Sequence, residues 1–98
     1  MALRDQLRVM VVDDMSTSRG LITQALDAFG IRAIASTSDG PSALKALESS
    51  PVHLVISDFN MPGMDGLQLL HALRTGGRTK GVGFILITGK ADKAIIEK

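Results

Sequence analysis

Residues 53–70 read HLVISDFNMPGMDGLQLL. An apolar run from His53 ends on the carboxylate of Asp58, a turn punctuated by Pro62, Gly63 and Gly66 follows, and Leu67, Leu70 and Leu73 then recur at helical spacing. Near-continuous apolar character over so short a run is what a parallel strand covered on both faces requires, and the helix after it is the crossover that leads to the next strand. The stretch also poses a chemical question. A solvated loop begins one residue later and would hold a charge with less desolvation than the edge of a sheet.

Working outward, the same alternation repeats. Strands are expected at Arg8 to Asp13, Ile31 to Ser36, His53 to Asp58 and Val82 to Thr88, the second being the least apolar. Between them lie amphipathic helices. In the first, Leu21, Ile22, Ala25, Leu26 and Phe29 share a face, Ser16 to Ser18 offer capping hydroxyls and Gly30 is a stop signal. Pro41 suits the first position of the second, with Ala43, Leu44 and Leu47 facing inward. Asp65 is positioned to cap the third, whose stripe is Leu67, Leu70 and Leu73 and whose end is Gly76-Gly77. A fourth helix is expected to begin near Ala91. There are no repeats, low-complexity tracts or linkers, so residues 1–98 read as one domain, a βαβαβαβα unit. Right-handed crossovers make it a parallel sheet with helices on both faces.

Composition narrows the function classes. A chain of 98 residues buries only about 60–65% of the surface its unfolded form exposes, so its core has little to spare. With no cysteine there is neither a disulfide framework nor thiol chemistry, which suits a reducing compartment, and the cytoplasm is the expected location. No apolar run approaches the roughly 20 residues of a membrane span. A net charge of +1 with 21% charged residues of mixed sign leaves no electrostatic footprint for nucleic acid or anionic lipid. Arg74, Arg78 and Lys80 form a local basic loop that reads as solvated surface, and without Trp or Tyr there is no base-stacking platform.

In an open parallel sheet, ligands bind beyond the carboxyl ends of the strands, where the strand order reverses. Asp13 and Asp14 close the first strand, Asp58 the third and Thr88 the fourth. Each has an ordinary reading alone: a solvated turn or helix cap, a turn former, a hydroxyl satisfying nearby backbone. If the first and third strands are neighbours, however, three carboxylates converge, repel one another and need a cation or proton to offset them. Oxygen ligands without His or Cys select a hard cation, and Mg²⁺ with carboxylates, retained waters and a phosphoryl oxygen fits best. His53 opens a strand far from the acids and His71 lies along the third helix; both read as structural or exposed.

These residues resemble the receiver domain of bacterial two-component response regulators. VVDDMSTSRGLI is similar to its acidic-pair motif, VISDFNMPGMDGLQLL to its phospho-acceptor motif and FILITGKAD to its switch-hydroxyl motif, in the family's order and over essentially the whole chain. The likeness is greatest to single-domain chemotaxis regulators. It implies a flavodoxin-like doubly wound parallel sheet, order 2-1-3-4, with the family's fifth strand absent from this chain. It also implies site roles. Asp58 would be the nucleophile that takes a phosphoryl group from phosphohistidine. Asp13 and Asp14 would hold Mg²⁺, or Mn²⁺ in its place, with Asp58 and the backbone carbonyl of Asn60 completing the ligands. Thr88 would bond the phosphoryl group, helped by backbone N–H groups near Phe59 and Gly89. The implied partners are a sensor histidine kinase, a flagellar motor switch protein and a phosphatase. The protein would be mainly a phosphoacceptor that signals, with intrinsic phosphotransfer and autodephosphorylation chemistry.

The chain departs from the family pattern at one place. Receivers continue through a fifth strand ending in a lysine that pairs with the phosphoryl group, whereas here ten residues, 89 to 98, follow Thr88. Lys90, Lys93 and Lys98 do not match that position. If the chain ends at Lys98, weakened signalling is expected, together with an open apolar edge along Val82 to Thr88 that favours a dimer or exchanged segment; if a further strand and helix follow, a monomer is expected. Two alternatives remain beside the phosphoacceptor: an interaction module that keeps the site but not its chemistry, and an aspartate-nucleophile phosphatase of the haloacid dehalogenase type. The latter needs a general acid two residues after the nucleophile, where this chain has Asn60.

Overall fold

A computed structural model describes residues 6–77, 79–88 and 93–97. Five strands, β1 (Arg8–Val12), β2 (Ala33–Thr37), β3 (Leu54–Asp58), β4 (Gly83–Thr88) and β5 (Lys93–Glu97), alternate with helices α1 (Ser16–Ala28), α2 (Gly40–Ser49) and α3 (Gly66–Thr75) up to β4. The sheet order is β2-β1-β3-β4-β5. Its first four strands are parallel in the expected order 2-1-3-4. The reversal between β1 and β3 is the switch point at which such sheets bind ligands.

Strand alternation divides the core in two. Met10 and Val12 of β1, Val55 of β3, and Phe84 and Leu86 of β4 face α2 and α3, where they pack with Ala43, Leu47, Leu69 and Leu73. Val9 and Ile56 face the other way, toward Ile22 and Leu26 of α1. The helix ends use local signals. Asp39 accepts a hydrogen bond from the Ser42 amide to cap α2, placing Pro41 within its first turn. Asp65 and Gln68 form a reciprocal capping box at α3.

Three expectations change. The N-cap of α1 is Met15, with no side-chain bond, so Ser16 to Ser18 do not cap it; the turn is held from Asp13, whose carboxylate accepts the Met15 amide at 2.9 Å. The inward faces also shift. On α3, Leu69 is buried and Leu67 exposed, because Gly66, Leu69 and Leu73 form the row that meets the sheet. On α1, Leu21 and Phe29 are exposed and Ala25 faces solvent, leaving Ile22 and Leu26 as the contact. Gly30, at φ 88°, reverses the chain. The amides of Gly30 and Ile31 bond back to Asp27 and Leu26 in the paired pattern of a helix-ending turn, and Ile31 takes the core position expected of Phe29. Finally, the fourth helix is not seen among the described residues. Ala91 lies outside them, and Lys93–Glu97 pairs antiparallel to β4, from Phe84↔Glu97 to Thr88↔Lys93. The β-branched pair Ile95-Ile96 suits a strand, and pairing satisfies the backbone groups along β4. The outer edge of β4 is thus occupied, so self-pairing through that edge loses its basis.

Candidate functional site

The site follows from register. Val12 of β1 lies opposite Ser57 of β3, so the next residue on each, Asp13 and Asp58, emerges side by side at the carboxyl edge. Asp14 follows in the turn to α1. Ligand oxygens of Asp13, Asp14 and Asp58 lie within 4.8 Å of one another, with Asp13 buried, Asp14 exposed and Asp58 half-buried. They open into a cavity of about 460 Å³ shared with Ser18 and Asn60 and rimmed by Met15, Leu21, Ile22 and Ile87.

The acids are held unequally. Asp13 donates its amide to the Thr37 carbonyl of β2 at 3.1 Å, receives the Met15 amide on Oδ1, and receives the Arg19 guanidinium on its backbone carbonyl at 2.7 Å. Asp58 is fixed through its backbone. The buried Ser57 hydroxyl donates to the Asp58 carbonyl at 3.0 Å, and the next amide, that of Phe59, donates to the Ile87 carbonyl at 2.9 Å. That second bond engages the Phe59 N–H itself, so of the backbone N–H groups expected near Phe59 this one is turned toward β4. Gly89 and the Thr88 hydroxyl lie outside the described residues and side chains; the Thr88 backbone closes β4 beside the acids.

Burial raises the Asp13 carboxyl above its ordinary value of 3.8; the Met15 amide lowers it, the nearby charges of Asp58 and Asp14 raise it, and Arg19 lowers it. A carboxyl held more tightly protonated in the fold than in the unfolded chain favours folding at low pH, and that contribution is lost as pH rises through its folded pKa. The metal-free protein at pH 7 therefore carries a destabilising charge. Asp13→Asn, whose Oδ1 still accepts the Met15 amide, should be more stable than the parent at pH 7 in chelator, with the advantage vanishing below about pH 4. Thermal unfolding of both forms at the two pH values checks this. The donor set fits a hard divalent cation on the same grounds: clustered carboxylates, one of them buried, with the charges of Asp58 and Asp14 raising the Asp13 carboxyl against the offset of Arg19.

The two histidines are not brought to the site. His53 is exposed at the opposite ends of the strands, where its Nδ1 accepts the Arg8 amide at 2.9 Å, and His71 is exposed on α3. Arg19 was not legible as a site residue, because its contact spans six residues and depends on how the turn after β1 folds. No described helix is long and apolar enough to cross a membrane.

Comparisons with known proteins agree with this geometry. The profile of the response regulator receiver domain matches residues 9–98. A probable chemotaxis protein CheY of Rhizobium etli is 43% identical over 98 residues, all of this chain and 76% of the relative. The chemotaxis protein CheY of Pseudomonas aeruginosa is 36% identical over 87 residues, covering 89% of this chain and 70% of its own length. Among solved structures, the BeF₃-activated, Mg²⁺-containing response regulator CheY2 of Sinorhizobium meliloti superposes with a TM-score of 0.72 at 46% identity, over 90% of this chain and 68% of that one. The acids at the switch point, the parallel order and the match over nearly the whole sequence have one common explanation: the chain belongs to the family of response regulator receiver domains.

Proposed function

We propose that the protein is a phosphoacceptor of two-component signalling that takes a phosphoryl group from a sensor histidine kinase onto Asp58, with Mg²⁺, and regulates a partner in chemotaxis or flagellar motor control. The observation that carries the reading is the convergence of Asp13, Asp14 and Asp58 at the carboxyl edge, one ligand oxygen of each lying within 4.8 Å of the others. Phosphoryl transfer is mostly positioning plus electrostatic stabilisation of equatorial oxygens, so a well-aimed carboxylate beside a cation site suffices. An Asp58 oxygen attacks the phosphorus, the P–N bond to the donor imidazole breaks, and the nitrogen keeps the electron pair. Asp13 and Asp14, with Asp58 and the Asn60 carbonyl, would hold Mg²⁺, which supplies neutralisation of the phosphoryl charge. The strand end of β3 presents Asp58 to the cavity shared with Asp13, Asp14 and Asn60. The chemotaxis assignment, with a motor switch protein as target and a phosphatase as regulator, rests on the CheY relatives.

Intact-mass analysis during incubation with acetyl phosphate and Mg²⁺ tests the proposal. One phosphoryl group gained and slowly lost supports it; no gain indicates a silent interaction module. Asp13→Asn should weaken Mg²⁺ binding severalfold or more, measured by titration, although it stabilises the metal-free fold. Unchanged affinity would remove Asp13 from the ligand set.

A further inference from the structure

We propose that Arg19 is a positioning residue for the acidic site: by holding the Asp13 carbonyl it fixes the turn on which Asp13 and Asp14 are presented. The inference rests on the metal-site reading given above and assigns to that site a residue outside its ligand set.

Three observations support it. Arg19 sits on the second turn of α1, and its guanidinium runs back toward the helix start, the direction helical side chains favour, to reach Asp13 O at 2.7 Å. The turn it reaches is otherwise fastened only loosely to the helix among the described residues: the N-cap Met15 makes no side-chain cap bond, and its amide reaches Asp13 Oδ1 from the very start of the helix. The other tie on the Asp13 backbone, through its amide, goes to Thr37 of β2. Among the described residues, Arg19 is thus the side chain that links the body of α1 to the backbone carrying the two acids. Its own place on the helix is secured, since its amide donates to Met15 O and its carbonyl accepts the Thr23 hydroxyl at 2.7 Å.

The bond goes to a backbone carbonyl rather than a carboxylate, so Arg19 leaves the acids' oxygens available while restricting their movement. A charge-assisted bond of this kind is stronger than a neutral one. A role limited to charge makes the opposite prediction, because removing a cation near a Mg²⁺ site would tighten Mg²⁺ binding.

Two measurements on the full chain separate the possibilities. In metal-free protein, the Met15 amide should exchange with solvent about tenfold faster in Arg19→Ala than in the parent. In Mg²⁺ titrations, Arg19→Ala should bind about tenfold more weakly, the lower end of the effect of removing groups that orient metal ligands. Its phosphorylation by acetyl phosphate should be slow at low Mg²⁺ and recover at saturating Mg²⁺. Arg19→Lys, which keeps the charge and can still reach a carbonyl, should recover at least half of the lost binding energy and provides a folded comparison if the alanine form is unstable. Unchanged Met15 exchange or Mg²⁺ binding as tight as the parent's in folded Arg19→Ala, or Mg²⁺ binding tighter than the parent's in Arg19→Lys, would overturn the proposal. Should the parent itself bind no Mg²⁺, the metal reading falls, and the metal-free exchange still decides whether Arg19 holds the turn.

Discussion

Asp58→Asn is expected to abolish phosphate incorporation from acetyl phosphate or a cognate kinase while leaving the protein folded. The side chains are nearly isosteric, but an amide lacks the anionic oxygen that attacks phosphorus. The surroundings offer no substitute of equal quality. Asp13 is buried, with one oxygen on the Met15 amide; Asp14 is exposed in a turn; and the Ser57 hydroxyl is buried and directed at the Asp58 carbonyl. Removing the charge of Asp58 also removes one of the repulsions acting on Asp13, so stability should not fall. Intact mass after incubation with Mg²⁺ and phosphodonor, beside a thermal melt, gives both readouts. Incorporation equal to the parent's would place the acceptor elsewhere.

The second large effect is expected at Gly66, where packing and chemistry meet. A β-carbon there would stand 2.6 Å from the Asp58 carbonyl oxygen and 3.0 Å from the Phe59 Cα, and would collide with Leu86 Cδ1. Leu86 has rotamer freedom, but the other two atoms are backbone at the end of the strand that aims Asp58. The Gly66 amide also bonds the Phe59 carbonyl at 3.0 Å, which keeps the two segments together. Gly66→Ala should therefore cost about 1–3 kcal/mol by overpacking, and it should slow phosphorylation of the folded fraction because relief comes through movement of the β3 end. Gly20, inside α1 with open space around its Cα, is the control: Gly20→Ala should stabilise by about 1 kcal/mol and leave the chemistry unchanged. Denaturant unfolding with phosphorylation rates on the same samples distinguishes the two glycines. A Gly66→Ala protein as stable and as fast as the parent would show that the strand end yields without consequence.

The packing at Gly66 also bears on why the proposed phosphoacceptor, Asp58, lies on a strand end. The oxygen that must be aimed belongs to a residue whose backbone is paired with β4 through the Asp58↔Ile87 register, tied by Ser57 and backed by α3 at Gly66. A solvated loop would hold the charge with less desolvation, but none of those restraints would then act on it.

Much of this was legible before any coordinates. The four apolar runs, the turn residues and Asp65 as a cap are signals written in short stretches, and local backbone preference suffices to read them. The pairing of DD after the first strand with D after the third, in a parallel α/β pattern, likewise foretold the acidic cluster, since strand ends in such sheets share one edge. What local signals could not supply were facts about neighbours distant along the chain. Whether Leu67 or Leu69 faced inward depended on how α3 docks on β4, and Phe29 gave way to Ile31 because the turn at Gly30 redirected the chain. Residues 93–97 read as part of a helix beginning near Ala91, yet they form a strand along β4, whose backbone groups offered partners no isolated segment has. The raised pKa of Asp13 and the reach of Arg19 to its carbonyl are of the same kind. Burial, charge proximity and hydrogen-bond geometry are set by three-dimensional distance, and a sequence pattern reports separation along the chain.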